Sequence, residues 1–198
     1  MSWKTVKVGD VSQQVRGVTY SSGEAIETYA EGYCSLLRAN NIAEHGIDLT
    51  DVIYVPNSRV NLKQILQPDD ILIAASSGSL SVVGKAATFN IDAKFTFGAF
   101  CKVIRANEQV HPRYLAHFFQ TKSYRQIVSS LAAGANINNL KNEHIDNLDL
   151  ILPPKDEQIR IAKVLDQAVE LELQHELAKQ TLKRFRESSW NLLVNNNE

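Results

Sequence analysis

Arginine, lysine, asparagine, serine and tyrosine side chains recur in short polar segments between the apolar runs of the first 150 residues. Such side chains can hold phosphates, or form hydrogen bonds with the edges of guanine and adenine. Loops are also polar simply because water surrounds them, so these residue types alone leave both interpretations open. We single out eight candidates for contact with DNA: Arg16, Tyr20, Arg38, Asn40, Arg59, Ser77, Ser79 and Lys85.

Two other patterns imitate catalytic sites. The segment Gly78–Lys85 is similar to a phosphate-binding loop, but its glycines are one residue too far apart, and Ala86 stands where a Mg²⁺-binding hydroxyl is expected. Asp69, Asp92 and Lys94 have a spacing found in Mg²⁺-dependent nucleases, although so short a pattern arises readily by chance. No two histidines have the spacing of a metal site, so we predict neither a metal site nor catalytic residues.

The composition is that of a globular protein, with 44% hydrophobic and 22% charged residues. A net charge of −1 means that any contact with DNA must come from a local patch. No apolar run is long enough to cross a membrane, and no secretory signal begins the sequence, so we expect a cytoplasmic chain without membrane contact. Cys34 and Cys101 form no C-x-x-C pair, and we predict that both are buried free thiols.

The apolar runs up to about residue 151 are short, rich in β-branched and aromatic residues, and bounded by turn residues. We predict strands at 33–37, 52–55, 71–75, 81–89, 95–104 and before Pro153, and two short helices within 111–134. This pattern indicates an α+β fold. A globular mixed α/β domain with a twisted β-sheet, residues 1–153, is followed by a long C-terminal α-helix, residues 154–198, that forms a coiled coil.

The C-terminal segment differs in kind from the rest. Pro153 and Pro154 are followed by Asp156 and Glu157, whose carboxylates suit the positive end of a helix. No Gly, Pro or Asn lies between Lys155 and Trp190, so a single helix of roughly 58 Å is favoured over a helical hairpin. A helix of this length cannot bury itself against a domain of this size, and it needs a partner helix.

One stripe of this segment, which we call the seam, has heptad-like spacing. It consists of Ile161, Leu165, Ala168, Leu171, His175, Ala178, Leu182, Phe185, Ser189 and Leu192. A second stripe, at residues 159, 162, 169, 173 and 177, makes the first half of the helix apolar on two sides. We predict an interface with a second copy or a partner subunit, although the basic residues Lys179, Lys183, Arg184 and Arg186 suit a solvated flank equally well. The predicted interface residues are Ile161, Leu165, Ala168, Leu171, Ala178, Leu182, Phe185, Lys183, Arg184 and Trp190.

Three segments together point to a family. They are RGVTYSSGEA (16–25), LQPDDILIAASSGSLSVVGKAA (66–87) and NINNLKNEHIDNLDLILPPKDEQIRIAKVLD (136–166). With these segments the sequence resembles the specificity subunits of type I restriction–modification systems. The third segment is the most specific, because an Asn-rich turn, a short apolar strand, a double proline and an acidic helix start seldom coincide.

The resemblance implies a target-recognition domain that reads one half of a bipartite site in double-stranded DNA. It also implies a spacer helix that docks methyltransferase subunits, and a restriction subunit is a further partner that it suggests. Members of the family are not enzymes themselves, and S-adenosylmethionine, ATP and Mg²⁺ are expected only on the partner subunits.

The sequence departs from the family in having one recognition domain and one spacer helix, where a full-length subunit has two of each. We therefore hypothesise that two copies pair antiparallel through the seam as a symmetric homodimer that reads two identical, inverted half-sites. Two alternatives remain at this stage. One is a module that binds protein but not DNA and dimerises through a coiled coil; the other is a nuclease using Asp69, Asp92 and Lys94.

Overall fold

A computed structural model of the chain describes residues 3–43, 46–134 and 139–195. The chain divides into two units, Met1–Ile159 and Arg160–Glu198. All of the described strands belong to the first unit, and the long C-terminal helix begins there and supplies the second.

Short strands predominate as far as residue 106, and short α-helices follow before the last strand and the final helix. The α-helices are α1 (Val8–Val11), α2 (Pro112–Phe118), α3 (Lys122–Gly134), α4 (Asn142–Asp146) and α5 (Lys155–Asn195). The strands are β1 (Lys4–Lys7), β2 (Ser12–Arg16), β3 (Tyr33–Leu37), β4 (Ile42–Ala43), β5 (Gly46–Ile47), β6 (Ile53–Pro56), β7 (Ile71–Ala74), β8 (Ala86–Thr88), β9 (Phe95–Phe97), β10 (Cys101–Ala106) and β11 (Asp149–Leu152).

The central layer is an antiparallel sheet with the strand order β2-β10-β7-β8. Successive side chains of a strand point to opposite faces, and both faces of this sheet are buried. Ile71 and Ile73 of β7 join the core beneath the helices, whereas Leu72 and Ala74 join the core on the other face. This is why the strand reads as an unbroken apolar run in the sequence.

A second sheet, with the order β6-β3-β9, covers one face of the central layer. Strand β3 pairs antiparallel with β6 and parallel with β9, so Leu37 and Phe97 lie opposite each other in the register. Both side chains are fully buried against residues of β7 and β10. On the other face, β1 pairs with β11 and so ties the start of the chain to the strand that precedes α5.

The helices α2 and α3 confirm the two short helices predicted within 111–134. Tyr124 of α3 is fully buried, with its ring 4.9 Å from that of Phe119 and 6.1 Å from that of Phe118. These rings pack with Val128 onto the central sheet and form the main helical core.

The predicted α+β fold is confirmed, with two corrections to the strands. The run 81–89 forms a strand only over Ala86–Thr88, because residues 81–84 make a turn in which Gly84 has a φ of 77° and the Lys85 amide bonds to the Val82 carbonyl. The run 95–104 is two strands of different sheets, β9 and β10, because the chain bends at residues 98–100.

The C-terminal segment is one continuous helix of 41 residues, about 60 Å long, as the absence of turn residues predicted. Its first turn is held to the globular unit by Gln158, which is buried. The Gln158 side chain accepts a hydrogen bond from the His111 amide at 2.7 Å and donates one to the Pro153 carbonyl at 2.8 Å. The buried side-chain amide of Gln158 therefore has hydrogen-bond partners for both its oxygen and its nitrogen.

Cys34 and Cys101 are both buried and free, as predicted. Burial raises the pKa of the Cys101 thiol to about 12, so this thiol is protonated at neutral pH. Among the described residues, no helix combines the length and the apolar character needed to cross a bilayer.

A buried ion pair holds the turn before β7 to the middle of the central sheet. Arg105 of β10 forms two hydrogen bonds with Asp70, from Nε to Oδ1 at 2.7 Å and from Nη2 to Oδ2 at 2.6 Å. The side chain of Asp70 is 1% exposed and that of Arg105 is 15% exposed. The Gln67 amide also donates to Asp70, so the carboxylate is both paired and hydrogen-bonded.

We expect Asp70→Asn to lower the free energy of unfolding by about 3–5 kcal/mol, because it leaves the charge of Arg105 buried and uncompensated. Asp149→Asn is the matched control. Asp149 pairs with Lys7 at 2.7 Å on the surface, and losing this pair should change stability by less than about 1 kcal/mol. Urea denaturation followed by circular dichroism measures both changes.

The double variant Asp70→Leu with Arg105→Met should recover most of the loss, because it removes both charges together. If Asp70→Asn proves no more destabilising than Asp149→Asn, the buried pair does not have the structural role assigned to it.

Candidate nucleic-acid interface

The candidate site is built where two backbone segments cross at Gly17 and Gly98. A Cβ atom on Gly17 would lie 2.2 Å from the Gly98 carbonyl oxygen, which is far inside van der Waals contact. The Val18 amide donates to the Phe97 carbonyl at 2.7 Å, and the Ala99 amide donates to the Val18 carbonyl at 2.9 Å. The crossing brings the residues that follow β2 beside those that follow β9.

The first cleft at this crossing has a volume of about 590 Å³, and we call it the Phe100 cleft. It gathers residues from four separate segments of the first unit. Four of the eight predicted DNA-contacting residues line it, namely Tyr20, Arg38, Asn40 and Ser77.

Phe100 lines this cleft and was missed by the sequence analysis. Its side chain is 71% exposed, yet its backbone is held firmly, because its carbonyl accepts hydrogen bonds from the amides of Ala75 and Ser76, each at 2.9 Å. In the sequence it lies inside an apolar run that reads as a strand interior. Gly98 was the available signal, since a glycine within a strand pattern often marks a bend.

Two of the polar groups in the Phe100 cleft share one carboxylate. Arg38 Nη2 lies 2.7 Å from Asp51 Oδ2, and Asn40 Nδ2 donates to the same oxygen at 2.6 Å. The Nε atom of Arg38 is buried without a hydrogen-bond partner among the described residues. The cleft therefore holds a guanidinium of fixed orientation with one donor still unsatisfied.

A second cleft, of about 410 Å³, contains Arg16, and we call it the Arg16 cleft. Ala99 lines both clefts, so the two adjoin at the crossing. The Arg16 cleft also contains Lys102 and Lys141, which the sequence analysis did not single out. Burial lowers the pKa of Lys102, and the nearby charge of Arg16 lowers it further, against the opposing effect of Asp146.

The other predicted residues lie elsewhere on the first unit. Arg59 forms an ion pair with Glu24, and the Ser21 amide together with Arg59 holds the pKa of the Glu24 carboxyl below its usual value. The hydroxyl of Ser79 bonds to that of Ser81 at 2.8 Å. Lys85 lines a separate cleft with Gln120 and Arg125. Part of the Asn-rich segment, residues 135–138, lies outside the described residues.

The nuclease pattern gains no support from the geometry. Asp69 occupies the turn before β7 with a φ of 65°, and its amide donates to the Phe89 carbonyl at 2.9 Å. Within the described ranges, no group of three or more His, Cys, Asp and Glu side chains is arranged to hold a metal ion.

Residues 1–184 match the family model of the type I restriction modification DNA specificity domain. The chain belongs to this family. Its resemblance to specificity subunits, inferred from three short segments, is thereby confirmed over nearly the whole sequence.

Two curated relatives are specificity subunits of type I restriction enzymes. The StySPI subunit from Salmonella potsdam is 41% identical over 190 residues, and the EcoKI subunit from Escherichia coli strain K12 is 42% identical over 190 residues. Each alignment covers 94% of this chain and 41% of the relative. The chain thus spans about two-fifths of the length of these relatives.

A solved structure supports the fold independently. It comes from work on complex assembly and conformational transition of the type I restriction–modification system, and it matches 94% of this chain and 44% of its own with a TM-score of 0.67. At 18% sequence identity, this likeness concerns the arrangement of the backbone.

We expect Gly17→Ala to destabilise the specificity domain by about 1–3 kcal/mol, because the new methyl group meets backbone atoms that cannot move aside independently. Gly23→Ala is the matched control, since a Cβ at Gly23 meets nothing within 4 Å. Urea unfolding of both variants measures the difference. Equal stability of the two variants would contradict the close crossing at Gly17 and Gly98.

Proposed function

We propose that this chain is the DNA-recognition part of a type I restriction–modification complex, reading one half of a bipartite target in double-stranded DNA. The family match over residues 1–184 carries this proposal. Two adjoining clefts support a DNA-contacting surface there, because they collect five of the eight residues predicted to contact DNA.

The two clefts suit different parts of the DNA because their side chains differ. The Phe100 cleft combines an exposed aromatic ring with the polar side chains of Tyr20, Asn40 and Ser77, which suits contact with bases. The Arg16 cleft is basic and suits contact with the backbone. With a net charge of −1, the chain should bind DNA weakly and in a salt-sensitive manner until a methyltransferase subunit adds contacts.

The chain is proposed to be non-catalytic. Methylation with S-adenosylmethionine, and restriction with ATP and Mg²⁺, are then carried out by partner subunits. These subunits are proposed to dock on α5. Trp190, whose side chain is 68% exposed, is the proposed anchor for such a subunit. The cytoplasm, where these subunits and the DNA are found together, is the corresponding location.

Co-purification with a methyltransferase subunit, followed by mapping of methylated adenines, tests the function. We expect methylation at a bipartite sequence with two inverted, identical halves. Phe100→Ala should weaken binding to that sequence about tenfold, whereas Leu62→Ala, which removes a 91% exposed side chain outside both clefts, should not.

A complex that methylates no adenine and binds no duplex would show that the proposed function is wrong and favour a module that binds protein only. Tight, salt-independent binding by the chain alone would contradict the assignment of backbone contacts. If Phe100→Ala binds like Leu62→Ala while the complex still methylates DNA, the function stands and the base-contacting cleft lies elsewhere.

We also propose that two copies of the chain pair antiparallel through α5. What supports this is the exposure of the seam: Leu171, Leu182 and Phe185 are 65%, 64% and 69% exposed. The second stripe is exposed as well, with Leu177 at 65%. A helix with apolar residues along its length gains stability only when a partner covers them.

The charges of α5 favour the antiparallel orientation. Residues 166–176 contain four carboxylates and no Lys or Arg, whereas residues 179–186 contain four basic side chains and no Asp or Glu. In an antiparallel pair centred near Leu177, each acidic segment lies against the basic segment of the other copy. A parallel pair would set like charges against each other, which disfavours it.

Sedimentation of the purified chain at micromolar concentration should give a dimer. The double variant Lys183→Glu with Arg184→Glu should raise the dissociation constant at least about tenfold, because it opposes acidic segments to each other. Glu170→Lys with Glu172→Lys should do the same by opposing basic segments. An equimolar mixture of the two double variants should recover the dimer as a heterodimer.

Lys122→Glu in α3 is the control, since it reverses one charge outside α5. A wild-type chain that sediments as a clean monomer would show the pairing to be wrong, though not the family. Two double variants that dimerise as well alone as in mixture would show that these charges do not set the orientation.

A further inference from the structure

Two cations face each other across neighbouring strands of the central sheet. Arg16 at the end of β2 and Lys102 near the start of β10 are directly opposed in the antiparallel register. Like charges at opposed positions repel and destabilise a sheet by themselves. These two strand ends lie beside the clefts. The stability of the sheet does not explain why two like charges are placed there.

The surroundings hold Lys102 in place, and no described carboxylate forms an ion pair with it. Lys102 Nζ donates to Asn142 Oδ1 at 2.5 Å, which is a bond to a neutral amide. The charge of Asp146 acts on Lys102 from outside the lining of the cleft, and Asp146 Oδ1 accepts a hydrogen bond from Gln14 Nε2 at 2.7 Å. The guanidinium of Arg16 has no ion pair or hydrogen bond with any described residue.

A third cation lies at the rim of the same cleft. Lys141 Nζ is 3.5 Å from Glu143 Oε1, and both side chains are more than 60% exposed, so the solvent weakens this pair. Three cations therefore line a concave surface of about 410 Å³, and no Asp or Glu is among the described residues that line it.

We infer that Arg16 and Lys102, with Lys141 at the rim, form a clamp for one phosphate of the DNA backbone next to the Phe100 cleft, an inference that rests on the proposed function. A phosphate placed between Arg16 and Lys102 converts their repulsion into two attractions. Arginine can bind phosphate oxygens through two parallel N–H groups, and lysine adds a point charge.

The position of the clamp explains what it would do for recognition. Ala99 lines both the cleft that contains the clamp and the Phe100 cleft, and Phe100 is the next residue in the chain. A phosphate held at the clamp fixes the register of the strand, so that a neighbouring base is presented to Phe100 and Tyr20. The clamp thus positions the DNA, and the adjoining cleft contacts the bases.

Fluorescence anisotropy with the full chain, a methyltransferase subunit and a 30-base-pair duplex tests the clamp. The variants are Arg16→Gln and Lys102→Met, and Lys122→Met is the matched control, since Lys122 is an exposed lysine in neither cleft. We expect each clamp variant to weaken binding about tenfold on target and unrelated duplexes alike. The slope of log K against log salt should fall by about one for each variant and remain unchanged for the control.

Urea unfolding of the same proteins separates a binding role from a structural one. Removing one of two opposed like charges should leave the stability of the chain unchanged or higher. A loss of stability in Lys102→Met that accounts for its weaker binding would overturn the clamp.

The remaining outcomes are equally decisive. Binding by the wild-type complex with an unchanged salt slope in both clamp variants overturns the clamp and leaves the proposed function standing. Absence of DNA binding by the wild-type complex overturns both.

Discussion

The crossing of two backbone segments at Gly17 and Gly98 is the constraint on which the candidate interface depends. With only 2.2 Å between a Cβ at Gly17 and the Gly98 carbonyl oxygen, neither segment can approach this closely if Gly17 carries a side chain. The hydrogen bonds of Val18 and Ala99 then hold the segments together. Because Arg16 precedes the crossing and Phe100 follows it, the same contact places a basic cleft and an aromatic cleft side by side.

The rest of the globular unit keeps this crossing in place. The central sheet is buried on both faces, by helices on one side and by the second sheet on the other. The ion pair of Asp70 and Arg105 ties the turn before β7 to β10, the strand that leads away from Phe100. A rigid scaffold of this kind lets the loops at its edge carry polar and exposed aromatic side chains at fixed positions.

The helix α5 differs from the globular unit in how its apolar side chains are exposed. The globular unit buries its apolar side chains in three clusters, whereas Leu171, Leu182 and Phe185 of the helix are more than 60% exposed. Within residues 166–186 the acidic residues precede the basic ones, so that the same segment in reverse orientation is complementary in charge. The proposed pairing of two copies rests on this charge pattern and on the exposed apolar side chains.

The sequence alone predicted the features that depend on local spacing. The strand at Tyr33–Leu37, the two helices within 111–134 and the unbroken α5 all followed from apolar periodicity and from the positions of Gly and Pro. The family also followed, because its motifs are contiguous segments that can be read without a structure. The predicted interface of α5 remains a prediction, since its partner lies outside the chain.

What only the tertiary structure decided were the relations between residues far apart in sequence. In the sequence, Phe100 and Lys102 belong to one apolar run that resembles a single strand. The bend at Gly98 and the pairing of β10 with β2 place their side chains in two different clefts. The ion pair between Arg59 and Glu24 joins residues 35 positions apart, and only the fold shows that they are neighbours. Side-chain pairs and close backbone crossings depend on which strands become neighbours, and no local pattern in the sequence encodes that choice.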